Sequence, residues 1–284
     1  WKWRMRHAAV TLAEQLGKAF GKGEMWDVLF CSDMLNLAEF RGLCPLLNRI
    51  PAVVYFHENQ LTYPVRVEEE RDFHFAYTNF TTCLAADEVW FNSAFHRDDF
   101  LAALRDLLGR MPDYQSLASV DEIAAKSQVL PPGVEQFESC RSRSPGPLRI
   151  VWAARWEHDK CPEDFFAALD VLLQRGVDFR VSVLGEQFRQ SPPVFQEYRR
   201  KLAGRIDRWG YQESADEYRL ALQQADVFVS TARHEFFGIA AVEAMAAGCY
   251  PLLPDRLAYP ELLTDVPNAE RFLYDGSVEQ LAVR

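Results

Sequence analysis

Apolar positions along this chain follow two alternating rhythms. Short continuous runs bounded by polar clusters read as buried strands, and longer stretches with apolar residues three and four apart read as helices. In the first half the pattern predicts a helix over residues 5–20 and strands at Trp26–Cys31, Pro51–Phe56, Glu88–Phe91 and within Ser127–Val134, the last closed by a Pro-Pro-Gly turn. Helical stretches are expected at 35–47, Phe73–Ala86 and Ala94–Leu108, the last capped by Asn92 and Ser93. Residues 109–125 read as irregular with helical pieces, and the acidic run Glu68–Asp72 as a solvated surface or helix start. Glu138–Pro147 (ESCRSRSPGP) has no apolar period and is rich in turn formers, which places a domain boundary there, between domains at 1–140 and 147–284.

Beyond that boundary the alternation restarts. Strands are predicted at Leu148–Arg155, Phe179–Gly185, Ile206–Tyr211, Asp226–Thr231 and Tyr250–Leu253. Helices are expected at Pro162–Gln174, Pro193–Ala203, Ser214–Gln224, Ile239–Ala247 and near Pro260, with Gly248 ending the fourth. Strands alternating with helices in both halves imply an α/β protein with two Rossmann-like parallel-sheet domains facing a cleft.

Composition narrows the class. Of 284 residues, 49% are hydrophobic and 25% charged, as in a globular protein of two ordinary domains. No apolar run approaches the roughly 20 residues of a membrane helix, and no signal peptide is visible in a start reading WKWRMR, so a cytoplasmic protein with no membrane partner is expected. The six cysteines (31, 44, 83, 140, 161, 249) show no zinc spacing and read as buried thiols in a reducing compartment. A net charge of −10 argues against a generic nucleic-acid coat. Two basic stretches stand out nonetheless: Lys2, Arg4 and Arg6 interleaved with Trp1 and Trp3, and Arg199, Arg200, Lys201, Arg205 and Arg208. Solvated helix faces are the expectation for both.

Candidate chemistry centres on Arg233–Glu261. Glu243 sits in a predicted helix whose neighbours at three and four residues are Ile239, Ala240, Ala246 and Ala247, so it has no polar face. Taken alone it fits an internally paired carboxylate as well as a ligand-binding one. Glu235 lies between a predicted strand and that helix, where parallel sheets collect ligands. The N–H groups of Phe237, Gly238 and Ile239 are expected to be free at the helix start and to favour an anion. Arg155 and Lys160 follow the first strand of the second half and could clamp a diphosphate leaving group, or be two ordinary surface cations. The apolar strand Pro51–Phe56 runs into HENQLTYP, which makes His57, Glu58, Asn59 and Gln60 a ligand-facing cluster. The other histidines (7, 74, 96, 158, 234) read as structural, and no GxGxxG, Walker or DxD motif is present. No metal or cofactor is expected.

Glu235 and Glu243, with seven residues between them and EAMAAGCYPLLP and Glu261 following, resemble the donor-site motif of the retaining GT-B glycosyltransferases. WKWRMR, FHENQLTYP, EVWFNS, LPPGV and HEFFGIAAVEAMAAG, in that order, resemble one branch, the tRNA-queuosine mannosyltransferase family. That resemblance covers most of the chain. It implies a GT-B fold and transfer of mannose from GDP-mannose onto queuosine in the anticodon of aspartate tRNA, with retention. It also implies roles: Arg155 and Lys160 on the diphosphate, Glu235 with the Phe237, Gly238 and Ile239 amides on the sugar, and Glu243 on the ribose. Gly210 and Tyr211 would lie near the base, His57 at the donor sugar from the acceptor domain, and Glu58, Asn59 and Gln60 on the acceptor side. Family members usually have a further strand and Gly-rich loop ahead of WKWRMR, so the N-terminal domain is expected to be incomplete. Two alternatives stay open on the residues: a transferase using another nucleotide sugar with a small-molecule or glycan acceptor, and a non-catalytic nucleotide- or tRNA-binding module.

Overall fold

The computed structural model describes residues 2–64, 72–135, 146–187 and 191–284. Most of the acidic run, most of the expected linker, Trp1 and Cys140 lie outside them. The chain divides into two compact units, Trp1–Pro131 and Pro132–Arg284.

Unit 1 begins with helix α1 (Lys2–Gly21), which buries Met5 and Ala9 and rests Ala8, Ala13, Leu16 and Phe20 on the core. Four strands follow, β1 (Leu29–Ser32), β2 (Ala52–Phe56), β3 (Glu88–Phe91) and β4 (Ser127–Val129), all parallel and in that spatial order. The connections are α2 (Leu37–Leu43), α3 (Phe73–Ala85), α4 (Ala94–Gly109) and α5 (Leu117–Ala125). Ser93 caps α4 by accepting the His96 amide at 2.9 Å, and Asn92 accepts from the buried His96 ring at 2.8 Å. The amino edge of this sheet is tied by Asp87, whose carboxylate accepts the Ala52 amide at 2.8 Å and Arg41 at 3.0 Å.

The structure sharpens some expectations and corrects one. The helical piece expected within 109–125 is a regular helix over 117–125, because Val120 and Ile123 face the core three positions apart. The strand in 127–134 is Ser127–Val129, closed as expected ahead of the Pro-Pro-Gly turn, whose prolines cannot donate to a ladder. The helical stretch at 35–47 breaks into α2 and a 3-10 turn, Pro45–Arg49, where the proline removes an amide.

Unit 2 has six parallel strands in the order β10 (Leu273–Tyr274), β9 (Tyr250–Pro254), β8 (Val227–Val229), β5 (Leu148–Ala153), β6 (Phe179–Leu184) and β7 (Ile206–Gly210). The chain lays down β5, β6 and β7 outward, then returns to the other side of β5 with β8. The crevice beyond the carboxyl ends of β5 and β8 is therefore the topological switch point. On one face α6 (Pro162–Gln174) and α7 (Val194–Lys201) pack Phe165, Phe166 and Phe195 against Trp152, and Trp156 stacks on Phe195 at 3.9 Å. Burial of each such ring contributes on the order of 2–3 kcal/mol. The other face takes α8 (Ala215–Gln224) and α9 (Ile239–Ala246), where Ala221, Ala241, Ala244 and Ala247 allow a close approach. Gly248 follows α9 with φ +87° and the Cys249 amide reaches back to Ala244 at 2.9 Å, a Schellman ending. The helix expected near Pro260 is a 3-10 turn, Pro260–Leu263, and both β10 and α10 (Val278–Leu281) are additions.

Candidate active site

Carboxyl ends of four strands in unit 2 surround a cavity of about 400 Å³. Arg155 borders it after β5, Glu186 after β6, Tyr211 after β7, and Ile239 and Glu243 on α9. A smaller hollow beside it shares Ala153, Ala154 and Ala240 and is lined by Lys160, Glu235 and Gly238. The two hollows thus bring together seven of the second-half residues expected at a donor site. Gly210 ends β7 next to Tyr211, and its carbonyl accepts the Gly185 amide at 3.2 Å. At Gly185 a side chain is excluded, since a Cβ would stand 1.8 Å from the Ala154 carbonyl oxygen. The floor between β5 and β6 depends on that close approach.

Lys160 is the most constrained charge here. It is 7% exposed and donates to the His234 carbonyl at 2.6 Å, with Asp159 at 3.3 Å and Glu235 at 3.4 Å. Burial pulls its ammonium down, but the carboxylates of Glu235 and Asp159 outweigh this and hold it above the usual lysine value. Its loop is laced to the β8–α9 loop: Thr231 donates to the Lys160 carbonyl at 2.8 Å, and the Arg233 amide to the Asp159 carbonyl at 2.8 Å. Sequence position alone separates Lys160 from Glu235 by 75 residues, and this lacing is what joins them. Arg155, by contrast, is exposed and stands 3.5 Å from Glu157. Exposed at the edge of the cavity, it is accessible to a ligand phosphate. The His234 ring, packed on Phe236, is pushed down to about 4 by burial and the nearby Lys160 ammonium, so it is neutral at pH 7.

One expectation about the β8–α9 turn changes. The Phe237 amide is not free, because Glu235 turns its carboxylate onto the Phe236 amide at 3.1 Å and the Phe237 amide at 3.5 Å. A carboxylate already occupies part of the anion nest. Gly238 does start α9 with φ +93°, and a Cβ would meet the Tyr259 ring at 2.9 Å, so glycine is required. Glu243 finds its polar partner off its own helix: Tyr218 of α8 donates to it at 2.8 Å. Burial and that carboxylate push the Tyr218 phenol up, which keeps it a donor. The lone carboxylate is therefore paired internally and also borders the cavity.

In unit 1 the loop after β2 is held from below. His57 is exposed, and both its amide (3.1 Å) and its Nδ1 (3.4 Å) approach Asp33, a carboxylate 1% exposed at the end of β1. Asp33 Oδ2 is buried without a hydrogen-bond partner. Burial pushes the Asp33 carboxyl up, and hydrogen bonding to it raises the His57 imidazole, so the pair retains a proton as pH rises. Asp33 is not among the candidates the sequence offers; its only signal is its place just beyond the strand predicted to end at Cys31. Asn59 is buried and spends its Oδ1 on the amides of Leu61 and Thr62, both at 2.9 Å, so it shapes the turn. Gln60 donates to Glu58 at 3.1 Å, and its amide to Asn79 of α3 at 2.9 Å. Among the described residues no group of three or more His, Cys, Asp or Glu side chains is placed to hold a metal ion, and no helix is long and apolar enough to cross a membrane.

Residues 1–134 match the family described as tRNA-queuosine alpha-mannosyltransferase N-terminal, and residues 138–283 match glycosyl transferases group 1. A tRNA-queuosine alpha-mannosyltransferase of Drosophila melanogaster is 38% identical over 273 residues, covering 92% of this chain and 71% of the fly protein. A GDP-mannose:cellobiosyl-diphosphopolyprenol alpha-mannosyltransferase of Xanthomonas oryzae is 29% identical over 201 residues, which is 67% of this chain and 50% of that protein. Among solved structures, a sucrose-phosphate synthase of Thermosynechococcus elongatus gives a TM-score of 0.68 at 19% identity, covering 96% of this chain and 66% of that one. The E. coli trehalose-6-phosphate protein bound with UDP-2-fluoro glucose gives 0.67 at 15% identity, covering 98% and 68%. Those two likenesses carry the fold, which is GT-B. With the family matches and the fly relative, they place this chain in the tRNA-queuosine alpha-mannosyltransferase family of the group 1 glycosyl transferases.

Proposed function

We propose that this protein transfers mannose from GDP-mannose to queuosine in the anticodon of aspartate tRNA, in the cytoplasm and with retention of anomeric configuration. The observation that carries the donor half of this reading is the switch-point cavity of unit 2, bordered by Arg155, Tyr211, Ile239 and Glu243 with Lys160 and Glu235 beside it. The acceptor half is supported by membership of a family whose fly member is named for tRNA-queuosine.

Arg155 and Lys160 hold the diphosphate and stabilise the charge that grows on it as the glycosidic bond breaks. Glu235 and the amides of Phe237, Gly238 and Ile239 hold the sugar and its phosphate, so the Glu235 carboxylate must swing off the Phe237 amide when the donor enters. Glu243, steadied by Tyr218, accepts from the ribose hydroxyls, and Gly210 and Tyr211 flank the base. His57, oriented by Asp33, serves the transfer from unit 1, with Glu58 and Gln60 on the acceptor and Asn59 shaping their loop. The acceptor oxygen bonds to the anomeric carbon as the phosphate oxygen leaves, and its proton passes to that phosphate. Protein cations do the work a metal would otherwise do, and no cofactor is needed. Incubation of the protein with GDP-[14C]mannose and queuosine-containing tRNA tests the reading: label in the tRNA supports it, and label absent from tRNA while GDP-mannose is bound contradicts the acceptor.

A further inference from the structure

The first two turns of α1 have no role in the account so far. Residues 2–7 carry three cations and no acid, on a protein whose net charge is −10. Trp3 is 75% exposed among them, its ring 5.4 Å from that of His7. Arg4 and Arg6 hold no ion pair among the described residues, whereas Arg41, Arg97, Arg105 and Arg110 in the same unit each pair with an aspartate. The second basic stretch, on unit 2, is partly neutralised, since Lys201 holds Asp170 and Arg205 holds Asp178. Unpaired guanidiniums around an exposed indole are what phosphates and an unstacked base require.

Position in the fold links this cluster to the His57 loop. Arg6 lies 4.5 Å over the ring of Phe75, in the first turn of α3. The far end of α3 is at the amino edge of the sheet, where Arg41 donates to the Ala85 carbonyl at 2.8 Å. Phe75, and Arg6 with it, must therefore lie toward the carboxyl edge, where β1 and β2 deliver Asp33 and His57. One turn along α3, Asn79 donates to the Asp33 carbonyl at 3.0 Å and accepts the Gln60 amide at 2.9 Å. The basic turns and the loop expected to face the acceptor are thus fastened to the same end of α3.

We infer that Lys2, Trp3, Arg4 and Arg6 grip the acceptor RNA beside the His57 loop, the cations on successive phosphates and the Trp3 indole under one splayed base. This rests on the tRNA-acceptor reading and adds the surface that would hold the RNA. An anionic membrane is the weaker occupant, because the apolar stripe of α1, with Met5 and Ala9 at its centre, is already buried in the unit's own core.

The probe is an unmodified anticodon stem-loop of aspartate tRNA, since phosphate contacts and stacking need no modified base. Binding is measured against salt for the wild type, the Arg4→Gln/Arg6→Gln double variant and Trp3→Ala, with GDP titration and circular dichroism in parallel. The double variant is expected to bind RNA about tenfold or more weakly, with the slope of log K against log salt reduced by about 1.4–1.8. Trp3→Ala is expected to lose about tenfold. GDP affinity and helicity stay at wild-type values. Wild-type RNA affinity and slope in both variants would overturn this surface and leave the tRNA reading standing. A wild type that binds GDP but no stem-loop, or that binds phosphatidylserine vesicles through these residues in place of RNA, overturns the inference together with its acceptor.

Discussion

The charged groups of the two units are held in opposite ways. In unit 2 the charges at the cavity are set against one another: buried Lys160 lies between Glu235 and Asp159, half-buried Glu243 sits under the Tyr218 hydroxyl, and Asp159 Oδ2, though without a hydrogen bond, is 3.3 Å from the Lys160 ammonium. In unit 1 the exposed His57 rests on Asp33, whose second carboxylate oxygen is buried without a hydrogen bond. A site that must bind a doubly charged diphosphate gains from groups set in advance, since reorganisation at each binding event is avoided. A site that meets a large acceptor can leave its imidazole in solvent and keep the fixed charge underneath.

Four substitutions would break or sharpen that contrast. The largest effect is expected at Lys160→Ala, which strands Asp159 and Glu235: transferase activity should fall at least about 10³-fold and stability by about 3 kcal/mol, read from kinetics and urea unfolding. Arg155→Ala removes an exposed cation, so kcat should drop about 10²-fold while the unfolding midpoint stays put. An equal loss of stability in both variants would abolish the distinction between buried and exposed clamps.

Asp33→Asn probes the other unit through pH. Both folded values are raised, Asp33 above its usual 3.8 and His57 above its usual 6.5. Their contribution to stability is present in full below those unfolded values and is lost as pH rises through the folded ones. Wild-type stability should therefore slope downward from mildly acid to mildly basic pH, and Asp33→Asn should flatten that slope. In an NMR titration the His57 midpoint should fall in the variant; a midpoint that stays where it was means that Asp33 does not orient the ring. The smallest effect belongs to Tyr218→Phe, about 1 kcal/mol of stability and a few-fold in donor affinity.

Much of this was legible in the chain because alternating apolar runs report buried parallel strands directly. The boundaries of α3, α6 and β3 follow from Asp72, Pro162 and the turn residues around them. Helix α5 was legible only as helical pieces because its apolar face is short, and β10 was missed because two residues carry no period. At the site, residue types and strand-end positions pointed to Arg155, Lys160, Glu235 and Glu243. Their partners were hidden by distance along the chain: Tyr218 is 25 residues from Glu243, and Asp33 is 24 from His57. Sequence shows which groups end a strand; only the packing of neighbouring loops shows what they hold.

The central claim is a GDP-mannose site at the switch point of unit 2, and calorimetric titration with GDP, UDP and ADP tests it most directly, with Glu243→Ala alongside. GDP should bind most tightly, and the variant should bind it at least about tenfold more weakly, the loss expected for a charged hydrogen-bond acceptor on the ribose. Preference for UDP, or GDP binding unchanged in Glu243→Ala, would contradict the account.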